Sequence, residues 1–278
     1  DFIISGICVY IFFAIYEKYS RASKLLMVYG NKESVGLKLK MDTRSDSYNI
    51  RRIVSIDEGM DNIVNMLSDY DGIVISDVSA QERNDLLKYC YMHEIETYIT
   101  PKISDVIIAG GEGIHQFDTP LVMINTTGLT PEQEFVKRFF DIVLCVIASV
   151  VLSPHVIRAT RIDELPQLFN IIRGDMSIVG PRPERTEHVE KYTEAIPEFE
   201  FRSKVKGGLT GYAQIYGKYN TSAYDKIKLD LMYIENYSFL LDIKLILMTI
   251  RIVFKKESTE GFDKVVSADE ILDQLNQE

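Results

Sequence analysis

Arg161-Ile162-Asp163-Glu164-Leu165-Pro166-Gln167-Leu168-Phe169-Asn170-Ile171-Ile172-Arg173-Gly174-Asp175-Met176-Ser177-Ile178-Val179-Gly180-Pro181-Arg182-Pro183-Glu184 decides how the C-terminal half of this chain is read. Asp163-Glu164 sits where a helix is expected to start, and an Asp cap with a Glu in the first turn explains the pair by itself. The arginines around it shift the weight. Arg158 and Arg161 precede the pair, and Arg173 and Arg182 follow it. A carboxylate can attack phosphorus, and arginine can hold the charge that develops on a phosphoryl group. In Gly180-Pro181-Arg182-Pro183 two prolines restrict the backbone around one arginine, so little entropy is lost when it grips phosphate. A rigid turn with a surface arginine is the alternative reading.

Upstream, Lys137-Arg138-Phe139-Phe140-Asp141 opens an apolar run over 142–152, and Ser153-Pro154 ends or kinks it. As a helix that run covers about 17 Å, against about 30 Å of hydrocarbon, so it cannot span a bilayer straight. A re-entrant or interfacial insertion and an ordinary core helix both fit. Downstream, residues 239–256 are strongly apolar with interspersed cations, as in a helix lying at a bilayer surface. A core-packed amphipathic helix is again the competitor. Two such segments in one domain favour membrane association.

The N-terminal part has a different rhythm. Leu25-Leu26-Met27-Val28-Tyr29-Gly30, Arg52-Ile53-Val54-Ser55-Ile56, Gly72-Ile73-Val74-Ile75-Ser76 and Glu96-Thr97-Tyr98-Ile99-Thr100 read as strands. Helical spacing lies between them at 61–67 and 80–93, with Ser79 capping the second. Alternating strands and helices predict a parallel sheet. This part resembles a Rossmann-like, CoA-binding-type domain over 24–120. Its first turn, Gly30-Asn31-Lys32-Glu33-Ser34, lacks the Gly-x-Gly-x-x-Gly of a dinucleotide site, which favours a regulatory or structural module. Gly-, Thr- and Pro-rich residues 110–131 are the expected boundary. Residues 1–20 read as the end of a membrane helix, and 259–278 as a solvated acidic tail.

The balance of 31 basic and 41 acidic residues, net −10 over 278 residues, argues against a nucleic-acid binder. Cys8, Cys90 and Cys145 fit neither a disulfide framework nor a zinc spacing, consistent with a cytoplasm-facing chain. The four histidines form no metal-ligand pattern.

Asp163-Glu164-Leu165-Pro166-Gln167-Leu168-Phe169-Asn170, Gly174-Asp175-Met176-Ser177 and Gly180-Pro181-Arg182-Pro183 closely resemble motifs of the bacterial sugar transferases, the monotopic polyprenyl-phosphate glycosyl-1-phosphate transferases. Gly208-Leu209-Thr210-Gly211-Tyr212-Ala213-Gln214 and Asp230-Leu231-Met232-Tyr233-Ile234-Glu235-Asn236-Tyr237-Ser238 are similar to later motifs of that family. The resemblance implies an α/β Rossmann-like accessory domain followed by a mainly α, membrane-associated transferase domain over 132–258. Lys137, Arg138, Asp141, Ser153 and Pro154 match its re-entrant helix.

The resemblance further implies an enzyme that moves sugar 1-phosphate from a nucleoside-diphosphate sugar, UDP-linked, to undecaprenyl phosphate, initiating exopolysaccharide, capsule or O-antigen assembly. Its place would be the cytoplasmic face of a bacterial inner membrane, among membrane lipids; self-association is left open. Asp163 would be the nucleophile, Glu164 with Asp163 would hold Mg²⁺, and Arg182, Arg161 and Arg173 would contact phosphate. Two departures stand out. Only His155-Val156-Ile157 separates Ser153-Pro154 from Arg158, where the family carries several tens of residues, so the domain is internally shortened. Gly207 replaces the family's proline, which is expected to loosen that loop. An inactive membrane scaffold and a nucleotide- or CoA-sensing module therefore remain as alternatives.

Overall fold

The computed structural model describes residues 22–45, 47–114, 119–152, 165–218 and 221–254. The expected membrane-helix end at 1–20, the acidic tail, Ser153, Pro154, Arg161, Asp163 and Glu164 all lie outside the described residues. The chain divides between Thr100 and Pro101 into two compact units.

The first unit runs β1 (Ser23–Tyr29), α1 (Gly36–Asp42), β2 (Tyr48–Ser55), α2 (Met60–Leu67), β3 (Gly72–Ser76), α3 (Ala80–Met92) and β4 (Glu96–Ile99). Its four strands form an all-parallel sheet in the order β2-β1-β3-β4. Successive side chains of a strand face opposite sides. Leu26, Val28, Ile73 and Ile75 meet α2 and α3 through Ile63, Leu67 and Leu86. Leu25, Met27 and Val74 point the other way, where Leu37 and Met41 of α1 cover them. Burial on both faces explains why the strands read as unbroken apolar runs. Helix α1 was not expected. Its Leu37, Leu39 and Met41 alternate like a strand, and the sheet selects the i, i+4 pair instead.

The order places the reversal of winding between β1 and β3, the usual ligand crevice of such sheets. Here the two strand ends lie against each other. Gly30 N donates to Ser76 O (3.1 Å), and a Cβ on Gly30 would stand 2.2 Å from Asp77 O. The N-terminus of α3 is capped from within, Glu82 N donating to Ser79 Oγ (3.5 Å) and Ser79 Oγ to Glu82 Oε2 (2.7 Å). Gly30→Ala is expected to destabilise the protein by about 1–3 kcal/mol in urea unfolding, because the contact is with backbone that cannot rotate away.

The second unit runs α4 (Ile103–Ala109), β5 (Glu112–Ile114), β6 (Leu121–Met123), α5 (Pro131–Leu152), α6 (Leu165–Arg173), β7 (Ser177–Val179), α7 (Thr186–Ala195), a 3₁₀ segment (Pro197–Lys204), β8 (Gly208–Thr210), α8 (Tyr212–Tyr216), α9 (Ala223–Glu235) and α10 (Phe239–Phe254). Ile103, Val106, Phe199, Ile227, Leu231 and Leu245 share its main core. Helix α4 therefore joins this unit, so the division falls earlier in the chain than the 110–131 segment. That segment itself holds the antiparallel β5–β6 pair. Helix α5 starts at Pro131, well before Lys137. Thr130 forms a capping box with Gln133, Gln133 N donating to Thr130 Oγ1 (3.3 Å) and Thr130 N to Gln133 Oε1 (2.9 Å), and proline suits the first helical position.

Candidate active site

Helix α6 is described from Leu165; Asp163-Glu164, expected at a helix start, precede it in sequence and lie outside the described residues. Its other end is fixed by α5. The Arg138 guanidinium donates to Ile171 O and to Ile172 O (2.6 Å), satisfying carbonyls that the helix terminus leaves open. Gly174, at φ 101°, turns the chain where a side chain would crowd that guanidinium.

Lys137 and Asp141, expected at the entry of a re-entrant helix, are buried inside this unit. Lys137 Nζ pairs with Asp242 Oδ2 of α10 (2.6 Å) and donates to the Tyr233 hydroxyl of α9 (3.0 Å). Tyr233 in turn donates to Asp242 Oδ1 (2.8 Å). Asp141 accepts from Ser177 Oγ (2.7 Å) and Ile178 N (3.1 Å) of β7. Burial pushes the Asp242 carboxyl up, against the opposing pull of Lys137. Burial and the neighbouring Asp242 push the Tyr233 hydroxyl well up, so it serves as a neutral donor. The three charged residues of Lys137-Arg138-Phe139-Phe140-Asp141 thus tie α5 to α10, α6 and β7 respectively.

The Gly180-Pro181-Arg182-Pro183 loop leaves β7 and is held against β8. Gly180 N donates to Thr210 O (2.8 Å), and Gly208 N to Pro181 O (2.9 Å). The Gly207 carbonyl accepts from Ser177 N (2.9 Å), and a Cβ there would press to 2.8 Å on Pro183 Cγ, so its lack of a side chain leaves room for the loop.

Arg182 is exposed and lines a cavity of about 890 Å³ between this loop, α7 and the 3₁₀ segment. Its floor includes Met176, Val189 and Phe199, and Asp175, Glu184, Glu190, Glu194 and Glu200 also line it. Arg173 is not among the residues that line it. It is largely exposed and pairs with Asp175 (Nε to Oδ2, 3.3 Å). Of the five expected chemical residues, the structure therefore describes Arg182 and Arg173, and only Arg182 lines the cavity. Among the described residues no group of three or more His, Cys, Asp or Glu is placed to hold a metal ion.

Three further residues act on the loop. Arg202 Nη2 donates to Arg182 O (2.8 Å) and pairs with Asp230 Oδ2 (2.8 Å). Lys226 Nζ reaches Glu184 Oε1 (3.3 Å). The i, i+4 spacing of Lys226 and Asp230 on one helix face was a legible signal; their partners were not. Burial pushes the Asp230 carboxyl up to about 6 from an ordinary 3.8, with Arg202 opposing. The folded form therefore holds this proton more tightly. That contribution to stability is fully present below 3.8 and is lost as pH rises through about 6. Thermal unfolding of wild type and Asp230→Asn across this window should differ by that slope, the wild type losing more stability as pH rises.

Two helices carry stripes of exposed apolar side chains. In α5 these are Phe135, Phe139, Ile142 and Val146, with Val136, Leu144 and Ile147 exposed as well, and in α10 Leu240, Ile243, Leu247 and Ile250. The Phe140 and Phe239 rings, 4.1 Å apart, join the two helices. Among the described residues no helix is long and apolar enough to cross a membrane.

Arg182 thus stands at an open cavity, in the unit whose α6 follows the carboxylate pair in sequence. Residues 154–256 match the model of the bacterial sugar transferase family. The chain is 45% identical over 101 residues to a UDP-N-acetylgalactosamine-undecaprenyl-phosphate N-acetylgalactosaminephosphotransferase of Aeromonas hydrophila, covering 35% of this chain and 24% of that protein. It is 42% identical over 113 residues to the uncharacterized sugar transferase EpsL of Bacillus subtilis, covering 41% and 54%. It is 44% identical over 101 residues to a UDP-glucose:undecaprenyl-phosphate glucose-1-phosphate transferase of Caulobacter vibrioides, covering 34% and 38%. The chain thus spans from about a quarter to about half the length of these relatives.

Proposed function

We propose that the second unit transfers sugar 1-phosphate from a UDP-linked sugar to undecaprenyl phosphate at the cytoplasmic face of a bacterial plasma membrane, as the first step of extracellular glycan assembly. The observation that carries this reading is Arg182, presented to an open cavity by a locked loop, within the segment that matches the family. The substrate classes come from the relatives named for them.

Asp163 would attack the sugar-bearing phosphorus, breaking the phosphoanhydride and releasing the nucleoside monophosphate with the bridging oxygen. An oxygen of undecaprenyl phosphate would then attack the same phosphorus. That forms the new phosphoanhydride and returns the carboxylate of Asp163. One anhydride replaces another, so no external energy source is required. Arg182 would hold non-bridging oxygens as charge shifts onto them. Mg²⁺ held by Glu164 and Asp163 would lower the repulsion between carboxylate and pyrophosphate. The acidic lining of the cavity favours a donor that arrives with such a counter-charge.

The apolar stripes of α5 and α10 would seat the unit on the lipid surface that holds the acceptor. Replacing Leu240 and Leu247 together by glutamate is expected to lower vesicle binding at least about tenfold in a sedimentation assay. Transfer of labelled sugar phosphate from UDP-sugar to undecaprenyl phosphate in membranes tests the activity. Arg182→Ala should lower its rate about 10²- to 10³-fold. The shortened stretch between Pro154 and Arg158 favours a second reading, a membrane-bound scaffold without turnover. Transfer by the chain as it stands would sink that reading, and its absence across UDP-sugars would sink the first.

A further inference from the structure

We propose that Arg202 is a positioning residue for Arg182, the rigid link through which helix α9 holds the phosphate-gripping loop in register with the cavity. This rests on the reading of Arg182 as a phosphate contact.

Pro181 and Pro183 restrict torsions within the loop, but a stiff loop still needs to be fixed to the body of the protein. The β8 contacts at Gly180 and Pro181 hold its start. Beyond Pro181 the loop is held from α9. Lys226 reaches Glu184, and Asp230, one turn further along the same helix, holds Arg202, which donates to the carbonyl of Arg182 itself. Glu184, Lys226, Asp230 and Arg202 alternate in sign along this path. Glu184 on the loop thus has Lys226 behind it, and Arg202 has Asp230.

Arg202 is built to orient rather than to bind. Its side chain is 11% exposed and that of Asp230 is 1% exposed, so the ion pair is shielded from water and salt. Its guanidinium lies 4.8 Å from the centre of the Phe199 ring, which sets the plane of the fork. The positive charge is answered by Asp230, leaving Arg182 as the arginine of this loop whose charge is open to a ligand. A guanidinium grips phosphate through fixed parallel donors, and a shift of about 1 Å in such a group can cost about 100-fold in rate. Both contacts come from one nitrogen, Nη2, which joins Asp230 to the Arg182 carbonyl directly.

Hydrogen exchange of the full chain tests the link without substrate. Arg202→Met and Asp230→Asn should each raise exchange at the amides of Gly180 and Gly208 at least about tenfold, with the strands of the first unit unchanged. Unchanged exchange at these amides in a folded Arg202→Met protein would overturn the proposal. In the transfer assay, Arg202→Met should lower kcat about tenfold in the wild-type background and add nothing to Arg182→Ala. Losses that multiply would mark a general structural role and overturn it. If the wild type transfers nothing while the loop still loosens, the transferase reading fails and the positioning link stands.

Discussion

Asp163→Asn is expected to lower sugar-phosphate transfer by at least about 10³-fold, because a neutral amide of nearly the same shape offers no nucleophile to phosphorus. The substitution keeps a helix-capping side chain, since asparagine and aspartate cap equally well. Stability should therefore stay near wild type while activity disappears. This separates the two readings of Asp163-Glu164 that the sequence leaves open. A residue that only caps α6 would show no such loss. Incubation with labelled UDP-sugar in the absence of lipid acceptor gives a second measurement. The wild type should retain acid-stable, hydroxylamine-sensitive label, as an acyl-phosphate does, and Asp163→Asn should retain none. Wild-type transfer in the asparagine variant would end the nucleophile assignment.

Lys137→Met is expected to destabilise the second unit by about 3–5 kcal/mol, because it leaves Asp242 buried without its counter-charge. The side chains of Lys137 and Asp242 are 7% and 10% exposed, so water cannot replace the lost contact. For a unit of this size that corresponds to a fall in Tm of roughly 6–20 °C. The penalty should shrink as pH falls, because the Asp242 carboxyl is already pushed up and protonation removes the buried charge. Changing both partners, Lys137→Met with Asp242→Leu, should recover much of the loss, since a buried pair replaced by apolar groups is often neutral. A Lys137→Met protein melting with the wild type would show that Lys137 serves only the lipid interface.

The alternating strands and helices of the first unit and Ser79 as the cap of α3 were legible because each depends on neighbours in sequence. Helix α1 was not legible, since Leu37, Leu39 and Met41 alternate like a strand and only the sheet surface selects Leu37 and Met41. The β5–β6 pair hid in a segment rich in glycine and threonine, where short strands carry little apolar pattern. The placement of α4 with α9 also escaped, because Ile103 and Val106 mark a buried face without saying which unit buries it.

The candidate site divides the same way. The short motifs, through their resemblance to the family, singled out Asp163, Glu164 and Arg182. Arg173 was singled out as well, yet it pairs with Asp175 and is not itself among the residues that line the cavity. Arg202, Asp230 and Lys226 stand 20 or more residues from Arg182 and were invisible as its supports.

By itself, then, the sequence determined the parallel α/β character of the first unit, the class of the second and the residues with chemistry to offer. The first follows from local periodicity, and the other two from short motifs that resemble those of the family. Only the tertiary structure decided which charges are answered and which stay open. It turned Lys137, Arg138 and Asp141 inward as ties between helices, closed the β1–β3 crevice around Gly30, and set Arg202 behind Arg182. Burial and pairing are made by segments distant in the chain, and the energy of a charge depends on what surrounds it.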